Sequence, residues 1–171
     1  MVQLAIVNVL KNSENPESAT ELVLNELNKS QQKDLIVPVL PYVGSKKALD
    51  VLIAMFNQNT GVQKETAFTA LTGWTNTFAA PFLLGISQSG AAEYQNKAFK
   101  AYVDLIGHSV LPDDQKLLQL QMVMPTAKNA YQRKLMLGAL ADVKTFLSLV
   151  YLGSFMDDIE LQQIAVKSAI E

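Results

Sequence analysis

The stretch Lys64-Glu65-Thr66-Ala67-Phe68-Thr69-Ala70 is echoed 31 residues later by Gln95-Asn96-Lys97-Ala98-Phe99-Lys100-Ala101. In both copies an Ala-Phe pair follows three polar residues, and a second alanine follows the first by three positions. That spacing places the alanines on one face of a helix. A third copy is Gln162-Gln163-Ile164-Ala165-Val166. A longer echo sets Gln32-Lys33-Asp34-Leu35-Ile36-Val37-Pro38-Val39-Leu40-Pro41-Tyr42-Val43 against Gln132-Arg133-Lys134-Leu135-Met136-Leu137-Gly138-Ala139-Leu140-Ala141-Asp142-Val143, with Gln, Leu, Leu and Val at the same offsets. One small or aliphatic anchor per copy gives Ala5, Leu35, Ala67, Ala98, Leu135 and Ala165, separated by 30, 32, 31, 37 and 30 residues. A single helix pair cannot bury both its apolar faces, so a period near thirty predicts helix pairs stacked one on the next. The anchors are small where the second helices of adjacent pairs approach closely.

Working outward, the 171 residues are 49% hydrophobic and 18% charged, which fits a single folded domain over residues 1–171. Strand alternation with hairpin turns is absent. Helix starts are marked at Asn15-Pro16-Glu17, Leu111-Pro112-Asp113-Asp114 and Met156-Asp157-Asp158, and breaks at Gly44, Gly61, Gly73, Gly90, Gly107 and Gly153. The expectation is an all-α chain of about ten helices, each roughly 10 to 18 residues long. Met1 opens a helix without a cap, and the segment from Ile159 to Glu171 is amphipathic to its last residue. Both ends lead us to expect a piece of a longer protein.

At this point a resemblance enters. Gln63-Lys64-Glu65-Thr66-Ala67-Phe68-Thr69-Ala70-Leu71, with a proline inside the first helix and a period near thirty, resembles HEAT-type repeats. It implies a right-handed α-α superhelix (HEAT/armadillo-like solenoid) of about five helix pairs. The stretch from Tyr102 through Asp113-Asp114-Gln115-Lys116 to Lys134-Leu135-Met136-Leu137-Gly138-Ala139-Leu140 is similar to something narrower. Such helical-repeat regions accompany sugar-hydrolase-like domains (the 3-keto-disaccharide hydrolase family) in large exported bacterial proteins. That likeness implies a periplasmic or exported location, with a cytoplasmic one as the alternative. One departure stands out: HEAT repeats carry Arg three residues before the anchor, whereas here the column reads Gln32, Lys64, Gln95, Gln132 and Gln162.

Composition narrows function. The net charge is −2, and thirteen of the fourteen basic residues are Lys, Arg133 being the exception. This argues against nucleic acid as a partner, since phosphate recognition relies on a positive field and on the forked guanidinium. The same charge argues against a DNA-lesion glycosylase on a HEAT-like scaffold. Without Cys and with only His108, thiolate chemistry and multi-histidine metal sites are excluded. The apolar runs at Leu35 to Val43 and Phe78 to Ile86 fall well short of the roughly 20 residues of a bilayer span, so no membrane insertion is expected.

Gly85-Ile86-Ser87-Gln88-Ser89-Gly90 approaches a nucleophile elbow, but Ser89 occupies the second glycine's place and the flanking sequence reads as helix. Asp113-Asp114 and Asp157-Asp158 read as caps that compensate helix dipoles. His108 reads as a turn residue, and Lys46-Lys47 is too short a basic run to carry meaning. The candidate binding surface is the polar column Gln32, Lys64, Gln95, Gln132 and Gln162 with Tyr94 and Tyr131. Amides and tyrosines suit hydrogen bonding to peptide or carbohydrate; solvated surface and rungs between repeats are the structural alternative. Trp74 is read either as a core plug or as an exposed stacking platform. No cofactor, metal or catalytic residue is expected. The functional expectation is a non-catalytic module binding a protein segment or a neighbouring domain. The narrower resemblance implies an alternative, an accessory module of a glycan-processing enzyme whose catalytic domain lies outside this chain.

Overall fold

The computed structural model describes residues 16–170, with side chains from Thr20 onward. It is helical, without a strand among the described residues. The chain divides into two compact units that meet in sequence at Ala79 and Ala80.

In the first unit, α1 (Pro16–Lys29) buries Thr20, Val23 and Leu27 at spacings of three and four. Its partner is a broken helix: α2 (Lys33–Ile36), a 3-10 turn (Val37–Val39) and α3 (Leu40–Val43). Pro38 and Pro41 have no N–H to continue the ladder, so this stretch winds in short pieces while still burying Ile36, Val37, Val39 and Leu40. It ends at Gly44, whose φ of +67° is the left-handed turn that favours glycine. A Cβ there would stand 3.1 Å from the Asn76 amide nitrogen. The Ser45 hydroxyl then accepts the Ala48 N–H and caps α4 (Lys46–Gln58). α4 packs on α5 (Gly61–Thr72), with the Phe56 and Phe68 rings tilted at 5.6 Å. α1 also touches α4, and α5 touches the 3-10 turn and α3. Two hairpins therefore lie with first helix on first and second on second.

The second unit holds three more hairpins: α6 (Ala80–Ser89) with α7 (Ala92–Gly107), α8 (Asp113–Val123) with α9 (Ala130–Ala141), and α10 (Phe146–Gly153) with α11 (Gln162–Ile170). α7 buries eight side chains, among them Ala98, Phe99, Tyr102 and Ile106. The second helices again form the continuous layer, α7 on α9 and α9 on α11. A Cβ on Gly107 would meet that of Ala139 at 3.9 Å, so small residues do mark the approach of α7 to α9.

Several expectations change. Ala67, Ala98 and Ala165 are fully buried, but Leu35 is 53% exposed and Leu135 half-buried. Ile36 and Met136 are buried in their place. On α9 the inward stripe runs Gln132, Met136 and Leu140 at intervals of four, because the Gln132 amide is itself tied into the interior. Near Leu35 the regular α-winding lasts only four residues before the prolines tighten it. Ala5 and the helix expected from Met1 lie outside the described residues. α2, α3, α10 and α11 are shorter than expected, while the break expected near Gly61 does fall between α4 and α5, which Gly61 opens. Met156-Asp157-Asp158 does not start a helix: α11 begins at Gln162, after a turn in which the Asp158 carboxylate accepts the Glu160 N–H.

Candidate functional site

The members of the polar column differ in exposure and in what they bond. Gln32 is exposed at the entry to α2, where its N–H donates to the Ser30 hydroxyl. Lys64 lies partly buried, its ammonium 4.7 Å from the centre of the Phe56 ring. Gln162 and Tyr131 are exposed, and Tyr94 is buried.

Gln95 and Gln132 do meet, through intermediaries. The Lys128 ammonium donates to Gln95 Oε1 at 3.0 Å and to the Gln88 carbonyl at 2.7 Å. Gln132 Oε1 accepts the Lys128 N–H at 2.6 Å, and Gln132 Nε2 donates to Asn96 Oδ1 at 3.0 Å. Asn129 caps α9 by accepting the Gln132 N–H and also bonds Asn96. This is a rung joining the start of α7 to the start of α9, and Gln132, 1% exposed, sits inside it. Its amide is a tie between hairpins and is withdrawn from the candidate binding surface. Removing it strands the Lys128 N–H and part of Asn96. Gln132→Leu is therefore expected to cost about 1–3 kcal/mol in urea unfolding, against less than about 0.5 kcal/mol for exposed Gln162→Leu.

A second rung, without a signal in the sequence pattern, lies beside the first. Arg133, one residue past Gln132, gives its guanidinium to Glu160 at 3.0 Å and approaches Asp158 at 3.9 Å. The one arginine thus fastens α9 to the turn before α11, and the Asp157-Asp158 pair belongs to that turn. Asp113 likewise does more than compensate a dipole: its Oδ2 accepts the Lys144 N–H, holding the turn after α9. Ser87, of the elbow-like sequence, is buried within α6 and donates to the Leu84 carbonyl. The exposed His108 caps the end of α7, Nδ1 lying 2.8 Å from the Asp104 carbonyl.

Trp74 is only 4% exposed, and its indole N–H donates to Asn76 Oδ1 at 2.9 Å. Asn76 in turn donates to the Gly44 carbonyl, and Thr75 to that of Pro41. The indole is thus a core plug with a satisfied polar tip, and the stacking platform is set aside. As the only tryptophan, it is expected to give a blue-shifted emission weakly quenched by acrylamide. Emission like that of free tryptophan would contradict this placement.

A concavity lies away from the polar column. In the first unit a groove of about 510 Å³ runs between the broken second helix and α5. Pro38, Pro41 and Tyr42 line one side; Val62, Glu65, Thr66 and Thr69 line the other, with Ala70 and Gly73 beyond them. The α5 residues follow helical spacing along one face. Pro41 and Ala70 are buried, while Tyr42, Val62, Glu65 and Thr69 are exposed. None of the polar column lines it. The signal in the sequence is Pro38-Val39-Leu40-Pro41-Tyr42: two prolines in a second helix thin the ladder and leave room beside the next helix. Among the described residues no group of three or more His, Asp or Glu stands ready to hold a metal ion. No helix of the described residues is long and apolar enough to cross a membrane. No family model, curated protein or solved structure matches this chain.

Proposed function

We propose that this chain is a non-catalytic helical-repeat module, of the HEAT-like superhelical kind, that holds an extended protein segment against its second helices. The observation that carries the reading is the apolar groove between the Pro38–Tyr42 stretch and α5. A concave, largely apolar cleft with a few polar groups is the usual form of a binding site. Second-helix layers are where stacked helix pairs bind extended ligands. The proposed binding surface thus moves from the amide column, of which Gln95 and Gln132 serve as rungs, to the groove of the first unit.

The test is selection of peptides from a random displayed library on the full chain, followed by titration against Thr69→Trp. Thr69 is exposed, so the indole is expected to fill the groove without disturbing the core. Selected peptides are expected to lose at least tenfold in affinity for Thr69→Trp and to bind Gln162→Leu unchanged. Equal binding to Thr69→Trp would refute the reading.

A further inference from the structure

We infer that α10 is the interface of a symmetric dimer, in which the helices of two copies cross antiparallel about a two-fold axis between Leu149 and Val150. The inference is independent of the groove in the first unit. α10 buries Ser148 and Leu152, but Phe146, Leu147, Leu149 and Val150 are between 45% and 77% exposed. Phe146, Leu149, Val150 and Gly153 follow the three-and-four spacing of one helix face. A helix at the surface of a folded chain ordinarily turns charged or polar residues outward. Here no charged residue stands between Lys144 and Asp157.

Area, shape and charge favour a second copy as the occupant. A groove of about 360 Å³ beside the stripe is lined in part by Phe146, Leu149 and the exposed Ile170 of α11. The four α10 side chains and Ile170 offer about 600 Å² per copy, or about 1,200 Å² for two, the lower end of a specific interface. The axis between Leu149 and Val150 is equidistant from Phe146 and Gly153. Phe146 of one copy therefore lies over Gly153 of the other, where an added Cβ would meet none of the described atoms within 4 Å. A large side chain at one end of the stripe meets a gap at the other, which is the self-complementarity that a two-fold contact demands. The same axis sets Lys144 beside the second copy's Asp157, whereas parallel helices would set like charge beside like. At the rim only the sign of each charge matters, so Lys144 keeps its bond to the Ala141 carbonyl. A lipid surface fits less well. Interfacial helices carry Lys or Arg on their polar face, whereas α10 has neither and is followed by Asp157, Asp158 and Glu160.

The test is sedimentation equilibrium of the full chain, with circular dichroism to show that each variant keeps its helices. Wild type is expected to be a dimer at about 100 μM. Val150→Glu sets two carboxylates against each other at the axis and is expected to weaken the dimer about tenfold or more. Leu118→Glu, at an equally exposed position on α8, is expected to leave it unchanged. The chain has no Cys, so single cysteines report the register. Under oxidation Val150→Cys is expected to cross-link to the second copy, whereas Phe146→Cys, about 10 Å from its own mate, is not. A monomer at that concentration, a dimer indifferent to Val150→Glu, or cross-linking of Phe146→Cys in place of Val150→Cys would overturn the inference. So would a monomer that floats with phosphatidylcholine vesicles until Val150→Glu is introduced, which would assign the stripe to a lipid surface.

Discussion

Phe99→Ala is expected to lower stability toward urea by about 3–5 kcal/mol, the range for deleting a fully buried aromatic side chain. Phe99 is 1% exposed on α7, the helix that faces both α6 and α9, so no solvent-side rearrangement fills the space it leaves. Nearly all the ring's transfer free energy is lost, and a cavity penalty adds to it. The control is Leu35→Ala. By its place in the repeat Leu35 is an anchor equivalent to Ala98, yet it is more than half exposed, so its truncation is expected to cost less than about 1 kcal/mol. Equal losses at the two positions would show that the register read from the repeat, rather than the one in the structure, is correct.

The second large effect is alkaline. Burial pushes the Tyr102 phenol up to about 12 from its ordinary 10.0. Its hydroxyl has only a long bond to Gln119 at 3.4 Å. The folded state holds this proton more tightly than the unfolded chain does, so the unfolded state binds fewer protons between the two values. Stability is therefore fully present below pH 10 and falls as the pH rises toward 12, by an amount on the order of 2–3 kcal/mol. Tyrosinate absorbance is expected to show Tyr102 ionising well above pH 10, near or with unfolding. Tyr151, beside Phe155, is also raised by burial and titrates late. Tyr102→Phe should remove most of the pH dependence in this window. If the variant and the wild type lost stability in parallel, the phenol would not be the group responsible.

The two halves of the column show where sequence reasoning reached and where it stopped. Ala67-Phe68 and Ala98-Phe99 are buried as the echo requires, because a small residue followed by a large one matches a close helix approach at any 3.6-residue winding. At Leu35 and Leu135 the same spacing misassigned which side chain faces inward, Ile36 and Met136 being buried in their place. A shift of one residue on a helix rotates a side chain by about 100°, and whether the chain makes that shift depends on prolines and caps. Arg133 gave no local sign of its role, since its partners Asp158 and Glu160 lie in a turn whose folding back onto α9 no window of sequence contains.

By itself, then, the order of residues determined that this chain is helical, that its helices recur in pairs about thirty residues apart, and that alanines and aromatics fill the layers between them. Those properties are local, written in periodicity, caps and breakers. Which polar groups are rungs and which face water, the burial of Trp74, and a groove beside Pro41 and Ala70 were decided only by tertiary structure. Each depends on how closely one hairpin settles on the next, and that distance is set jointly by side chains more than twenty residues apart.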